Sequence, residues 1–411
     1  MSILREKDGC YSIILESPYV PTVKIRGARD IKGINSQVRA SLEARGFGAA
    51  GLHRNPQGGT DALEYIRKIG SSALGDLVTY GGPAASNRNR EVVKKFLSNV
   101  REKAPPRRAP VLFFSSPVDF PVELLPVFDR SQGRKDLPSP DGPGLEARAK
   151  GSFLGMHFAV RKYIQQSGEA YIPGGQGQLI GSSDSAKEQD VALAPYWNQT
   201  LLRVAEEIRG LRGLDFLIVG DPLPSQEMAS RRNADEELAR LLVTGRDVRE
   251  GVVHITAHCH TASKSSYDHS ITFAARKSRW KSIKEVDVRL YTIKAVHGEL
   301  DSPIGESPCN RLAFISACGA ANVRYDSPST IPDAFLDCGY AAVVAPLVSI
   351  HVDSAAAFAL HFYRSLDSDS NSTVGGALVE ARKHLLRQFS NPVGLAYTCY
   401  GESRLRLPRK G

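Results

Sequence analysis

The chain has 411 residues, 42% hydrophobic and 24% charged, and its glycines (36) and prolines (24) stay well below low-complexity levels. Wholesale disorder is excluded, and at roughly 150 residues per domain the length predicts two or three domains or one large α/β unit. Lysine and arginine (53) exceed aspartate and glutamate (44), a net charge of +9 that would attract phosphates. The basic residues are scattered, however, with knots only at Arg107-Arg108, Arg231-Arg232 and Arg276 to Lys284. With no zinc-finger spacing and no aromatic-basic interleaving, nucleic acid is not the expected main partner.

In the first hundred residues the spacing predicts a mixed, largely helical region. Helical periods run over 36–47 and 89–103, with Asn89 as a start and Pro105-Pro106 as a stop. APVLFFSS (109–116) has the length of a buried strand. Residues 131–144, rich in proline, glycine and charge, read as a loop, and 168–190 read as the boundary between two halves. The second half then alternates. LDFLIVG (214–220), VVHITAH (252–258) and RLAFISAC (311–318) are strands, and 234–242 is a helix. Residues 334–348 are helix then strand, and 353–366 and 373–389 are helices, with a long basic insertion before 311. This order predicts an α/β fold with a mostly parallel sheet flanked by helices, whose ligands gather at the carboxyl ends of the strands. Asp221, His258 and Cys318 occupy three of those ends.

The six cysteines (10, 259, 309, 318, 338, 399) form no C-x-x-C pair and read as reduced thiols of a cytoplasmic protein. The charged start, MSILREKDGC, is no signal peptide, and the longest apolar stretch, 340–348, contains Pro346 and is too short for a membrane span. His254 and His258 share one strand face. Their spacing fits the histidine pair of a zinc-protease helix, but the glutamate is missing and the segment reads as strand, so no metal or other cofactor is expected. Cys259 and His260 are the remaining candidate ligands. Cys318, followed by Gly319-Ala320-Ala321, fits a nucleophile whose sulfur stands clear and whose neighbouring N–H groups face a carbonyl. A histidine such as His258 would supply its thiolate; the alternatives are a structural histidine and a buried core cysteine.

Several blocks in order resemble the CHAT proteases, caspase-like cysteine peptidases related to separase. DFPVELLPVFD (119–129) is similar to the family's Pro-Trp-Glu-Leu-Leu block, with Val122 at the tryptophan. LIVGDPLP (217–224), VVHITAHCH (252–260), LAFISACGAA (312–321), the stretch 332–366 and ALVEARKHLL (377–386) follow in the family's order. The resemblance implies a caspase-like fold, with an N-terminal non-catalytic α/β half over 1–170 and a catalytic domain over 190–411. It also implies a cysteine endopeptidase with Cys318 as nucleophile and His258 as general acid/base. The oxyanion hole would use the backbone N–H groups of Cys318 and of Cys259, which stands where glycine is usual.

Asp353 falls in the turn where separase-like relatives carry a carboxylate, so the resemblance implies cleavage after Arg or Lys. The alternative is that Asp353 caps the helix beginning near Ser354. Asp221 is the second specificity candidate. Such a preference makes Arg134, Lys135 and Arg148 in the loop, and Arg276, Lys277 and Arg279 in the insertion, candidate processing sites; solvated basic loops are the plain alternative. The partners implied are a protein substrate and an activating protease or sensor, in the manner of defence-cascade relatives, with no membrane. Two other classes stay open: an inactive caspase-like scaffold and a basic nucleic-acid-associated regulator.

Overall fold

The structure, a computed structural model, describes residues 1–6, 10–17, 19–28, 30–42, 56–79, 83–104, 110–116, 120–126, 153–164, 191–199, 201, 204–214, 216–218, 223–245, 251–261, 269–278, 281–299, 309–317, 330–368 and 372–407. By contacts the chain divides into two units: Met1–Ile172 with Leu378–Thr398, and Pro173–Ala377 with Cys399–Gly411.

The first unit opens on three strands where the sequence predicted mostly helix. β1 (Ser2–Arg5), β2 (Tyr11–Leu15) and β3 (Val23–Arg26) form an antiparallel meander. Each is four or five residues long, too short to outweigh the helical periods downstream, yet Ile3, Ile13 and Ile25 are all buried. α1 (Ile31–Ser41) starts where the Asp30 carboxylate accepts from the Gly33 N–H at 2.8 Å. α2 (Pro56–Leu77) follows, then α3 (Pro83–Lys103). The last begins at Pro83 rather than Asn89, because proline suits the first helical position. Asn89 lies inside the helix and donates to the Val78 carbonyl at 3.1 Å. β4 (Val111–Ser116) is the expected strand; it runs parallel to β1 on one side and to β5 (Ala159–Ile164) on the other.

The block PVELL turns into this unit's interior, with Val122 and Glu123 both fully buried. Glu123 pairs with Lys162 of β5 at 3.0 Å and accepts from the Thr398 hydroxyl. Nearby, Arg382 donates to the carbonyls of Gly155 (2.7 Å), Tyr397 (2.5 Å) and Gly394 (3.2 Å). A buried ion pair adds little net stability against an apolar replacement, but losing either partner strands a charge.

The second unit contains β6 (Val191–Trp197), α4 (Val204–Leu211), β7 (Phe216–Ile218), α5 (Gln226–Ala229), α6 (Ala234–Thr244), β8 (Gly251–Thr261), β9 (His269–Ser278), β10 (Lys281–Arg289) and α7 (Leu290–Glu299). β11 (Cys309–Ala317), α8 (Ile331–Asp337), β12 (Tyr340–Pro346) and α9 (Val352–Asp367) follow; α10 (Val374–Phe389) and β13 (Tyr397–Gly401) divide between the units. Five strands are parallel in the order β7-β6-β8-β11-β12, while β9 pairs antiparallel with the end of β8 and β10 pairs antiparallel with β9. β6 had no counterpart in the sequence reading, since Pro195 interrupts its run and argues against a central strand. The insertion taken as a basic loop is largely the β9–β10 hairpin and α7.

The parallel strands are buried on both faces: Leu312 to Ile315 and Ala342 to Ala345 are inaccessible to solvent. Alternation sends Phe314 toward α9, against Phe358, Phe362 and Tyr363, and sends Arg311 toward α6. On that α6 face three carbonyls of the helix's last turn accept from three strands. Tyr196 hydroxyl donates to Leu241 (3.0 Å), Tyr340 hydroxyl to Leu242 (2.5 Å) and Arg311 Nη1 to Val243 (3.3 Å). A helix end leaves carbonyls such as those of Leu242 and Val243 short of partners, and the cation there suits the helix dipole. Among the described residues no helix is long and apolar enough to cross a membrane.

Candidate functional site

β8 carries the site. Its residues 251–257 pair with β11, Ala257 opposite Ala317, and at that point β11 ends. The next residue of β8 is His258; the residue covalently bonded to Ala317 is Cys318, which lies outside the described residues. β8 continues past the ladder, with His258 opposite Thr272 and Cys259 opposite Ile271 of β9. His258 and Cys259 are half-buried and His260 is exposed. The rings of His258 and His260 lie 6.4 Å apart. Burial pushes the His258 imidazole below the ordinary histidine range, His260 adds to that through like charge, and Glu285 of β10 opposes it. At neutral pH the ring is therefore uncharged and able to take a proton.

His254, two positions along the same face from Thr256, belongs to the interior. It is fully buried, 5.5 Å from Phe314 in a near-parallel stack. Its Nδ1 lies 3.0 Å from Tyr363 Oη and its Nε2 2.9 Å from Thr256 Oγ1, while the Thr256 hydroxyl donates to Glu207 Oε2 at 3.3 Å. One tautomer satisfies the chain: Tyr363 donates to Nδ1, Nε2–H donates to Thr256, and Thr256 donates to the carboxylate. Glu207 Oε1 sits 3.1 Å from Nε2 but has no aligned donor. Burial and the Glu207 charge push the Tyr363 phenol well above its ordinary range, so it stays protonated and donates. Sequence reading missed Glu207, although an acid one turn before buried Leu211, on the inward stripe of α4, is a readable signal.

Asp353 does not cap α9. The helix starts at Val352, His351 is the cap, and its Nδ1 accepts from the Asp353 N–H at 3.4 Å. Asp353 sits instead in the first turn, half-buried, with Oδ2 3.7 Å from His351 Nδ1. A carboxylate there is favoured by the helix dipole. It follows β12, which neighbours β11, so it enters the same unit from the carboxyl end of the next strand. Asp221, Arg134, Lys135, Arg148 and Arg279 lie outside the described residues. Arg276 and Lys277 are in β9, with Arg276 paired to Ile283 of β10. Among the described residues no group of three or more His, Cys, Asp or Glu side chains is arranged to hold a metal ion.

In this parallel α/β sheet the strand that carries His258 lies beside the strand after which Cys318 follows in the sequence. The family model for the CHAT domain matches residues 137–394, more than half of the chain, and the protein belongs to that family. Among solved structures, the complex of Porphyromonas gingivalis RgpB pro- and mature domains is similar at a TM-score of 0.42 and 11% identity, covering 77% of this chain and 69% of that chain. The Saccharomyces cerevisiae separase–securin complex is similar at a TM-score of 0.35 and 11% identity, covering 90% of this chain but 22% of that chain. No curated protein matches the chain.

Proposed function

We propose that the protein is a cysteine endopeptidase in which Cys318 and His258 act as a dyad, cleaving protein substrates after Arg or Lys. The observation that carries this reading is the β8–β11 register: Ala257 and Ala317 are partners, and each is bonded to one member of the pair. In the reaction the Cys318 thiolate adds to the scissile carbonyl and His258 takes up the thiol proton. The imidazolium then protonates the leaving amine as the C–N bond breaks. Water, deprotonated by the same ring, releases the acyl group and regenerates the thiol. Backbone N–H groups of Cys259 and Cys318 would hold the oxyanion.

The carboxylate of Asp353 would receive the guanidinium or ammonium of the residue before the cleaved bond, and Asp221 is the second candidate for that role. Activation by a partner or by cleavage near Arg134, Lys135 or Arg148 goes with this reading, as in a defence cascade. The test uses purified protein and fluorogenic peptides ending in Arg, Lys, Leu or Asp, beside Cys318→Ala and Asp353→Ala. Cleavage after Arg and Lys is expected, abolished in the first variant and stripped of its basic preference in the second. If no peptide is cleaved even after limited nicking by trypsin that is then blocked, the protein is a scaffold instead.

A further inference from the structure

One edge of β8 changes partner within two residues. Residues 251–256 pair in parallel with β6, while 258–261 pair antiparallel with β9. Such a fork interrupts the ladder, and buried backbone groups at the break need partners from elsewhere. Asn198, the residue after β6, occupies the break and is fully buried. Its backbone N–H donates to the Thr256 carbonyl at 2.7 Å. Its side-chain amide donates to the Thr272 carbonyl at 2.9 Å, and Thr272 is the register partner of His258. The next N–H, from Gln199, donates to the Ala274 carbonyl at 2.9 Å, and Leu201 N–H donates to the Asn198 carbonyl at 3.1 Å. The side-chain amide therefore serves as the missing rung, fastening the strand before His258 to the strand opposite it.

We infer that Asn198 is a positioning residue for His258: by holding both tines of the β8–β9 fork it sets where the imidazole stands relative to the end of β11. This rests on the dyad reading above. Its amide and backbone act on the strands that carry and face His258. A short amide suits the place because its N–H copies a backbone donor.

The test compares wild type with Asn198→Ala and with Asn198→Leu, which keeps the volume but not the donor. Thermal unfolding identifies a temperature at which the variants are folded. There the His258 ring protons are titrated by NMR, and alkylation of Cys318 by iodoacetamide is followed against pH. Turnover of an Arg peptide is resolved into kcat and KM. The expected result in a folded variant is a His258 resonance that is broadened or split and titrates higher, as its cover is lost. Cys318 alkylation near pH 6.5 should fall about tenfold, and kcat about tenfold or more with KM within about threefold. Wild-type ring signals, alkylation profile and kcat in a folded variant would overturn the inference. Failure of both variants to fold at any temperature would overturn it too, by assigning Asn198 to the stability of the whole unit. Failure of the dyad reading is separate: wild type itself would then cleave no peptide, while the His258 NMR comparison still decides the role of Asn198.

Discussion

His258 is held between opposing fields, and each can be removed singly. His260→Ala deletes the like charge that lowers the His258 titration, so the acid limb of the activity profile moves to higher pH. Glu285→Gln deletes the attraction that raises it, so the limb moves lower. Profiles of kcat/KM for the two variants should bracket wild type, and shifts in the same direction would refute the assignment. One face-partner inward, the Tyr363–His254–Thr256–Glu207 chain is wholly interior. Glu207→Ala leaves the buried Thr256 hydroxyl without its acceptor and should cost about 3 kcal/mol in urea unfolding. Tyr363→Phe should cost about 1–2 kcal/mol. The double variant should lose less than the sum, because both belong to one network. Full additivity would mean that the contacts are independent.

Helix α6 illustrates how an element end is built from distant parts. Gly245 takes a left-handed φ of 65°, and its N–H returns to the Leu241 carbonyl, closing the helix. A Cβ there would come within 2.5 Å of Arg311 Nη1, the group that serves Val243. Gly245→Ala should therefore cost about 2 kcal/mol, more than the roughly 1 kcal/mol of left-handed strain alone, when measured by thermal or denaturant unfolding. A loss under 1 kcal/mol would show that Arg311 simply swings aside. The strands β8, β11 and β12 and the helices α9 and α10 were legible because each carries a long apolar run or a 3.6-residue period. β6 and the β9–β10 hairpin were not. Pro195 masks the first, and in the second every other residue on one side of β10 is charged or exposed, so the run resembles a solvated loop.

At the scale of the whole chain, two of the candidate processing sites fall in a described strand. In β9, Arg276 and Lys277 sit in a ladder with β10, and a protease must melt that pairing to thread the bond through an active site. Prolonged incubation of active protein should therefore yield no fragments ending at Arg276 or Lys277, and the sequence expectation puts any self-cleavage at Arg134, Lys135 or Arg148. Mass spectrometry reads the termini, and Cys318→Ala should stay intact. Fragments from β9 would contradict the ladder's protection, and an uncut wild-type chain would remove self-processing altogether.

Block order from DFPVELLPVFD to ALVEARKHLL sufficed to identify the family, because such blocks are contiguous runs whose residue types can be read directly. The strand that carries His258 and the one that leads toward Cys318 were likewise written locally, in apolar residues followed by a reactive one. Neighbours were not. That Ala257 pairs with Ala317, that Glu207 closes a chain begun by Tyr363, and that Asn198 fills the fork beside His258 all join residues 49 to 109 apart or on different elements. Local periodicity reports which face of an element is buried. It carries no information about which element lies against that face, and it is packing in three dimensions that selects the partner.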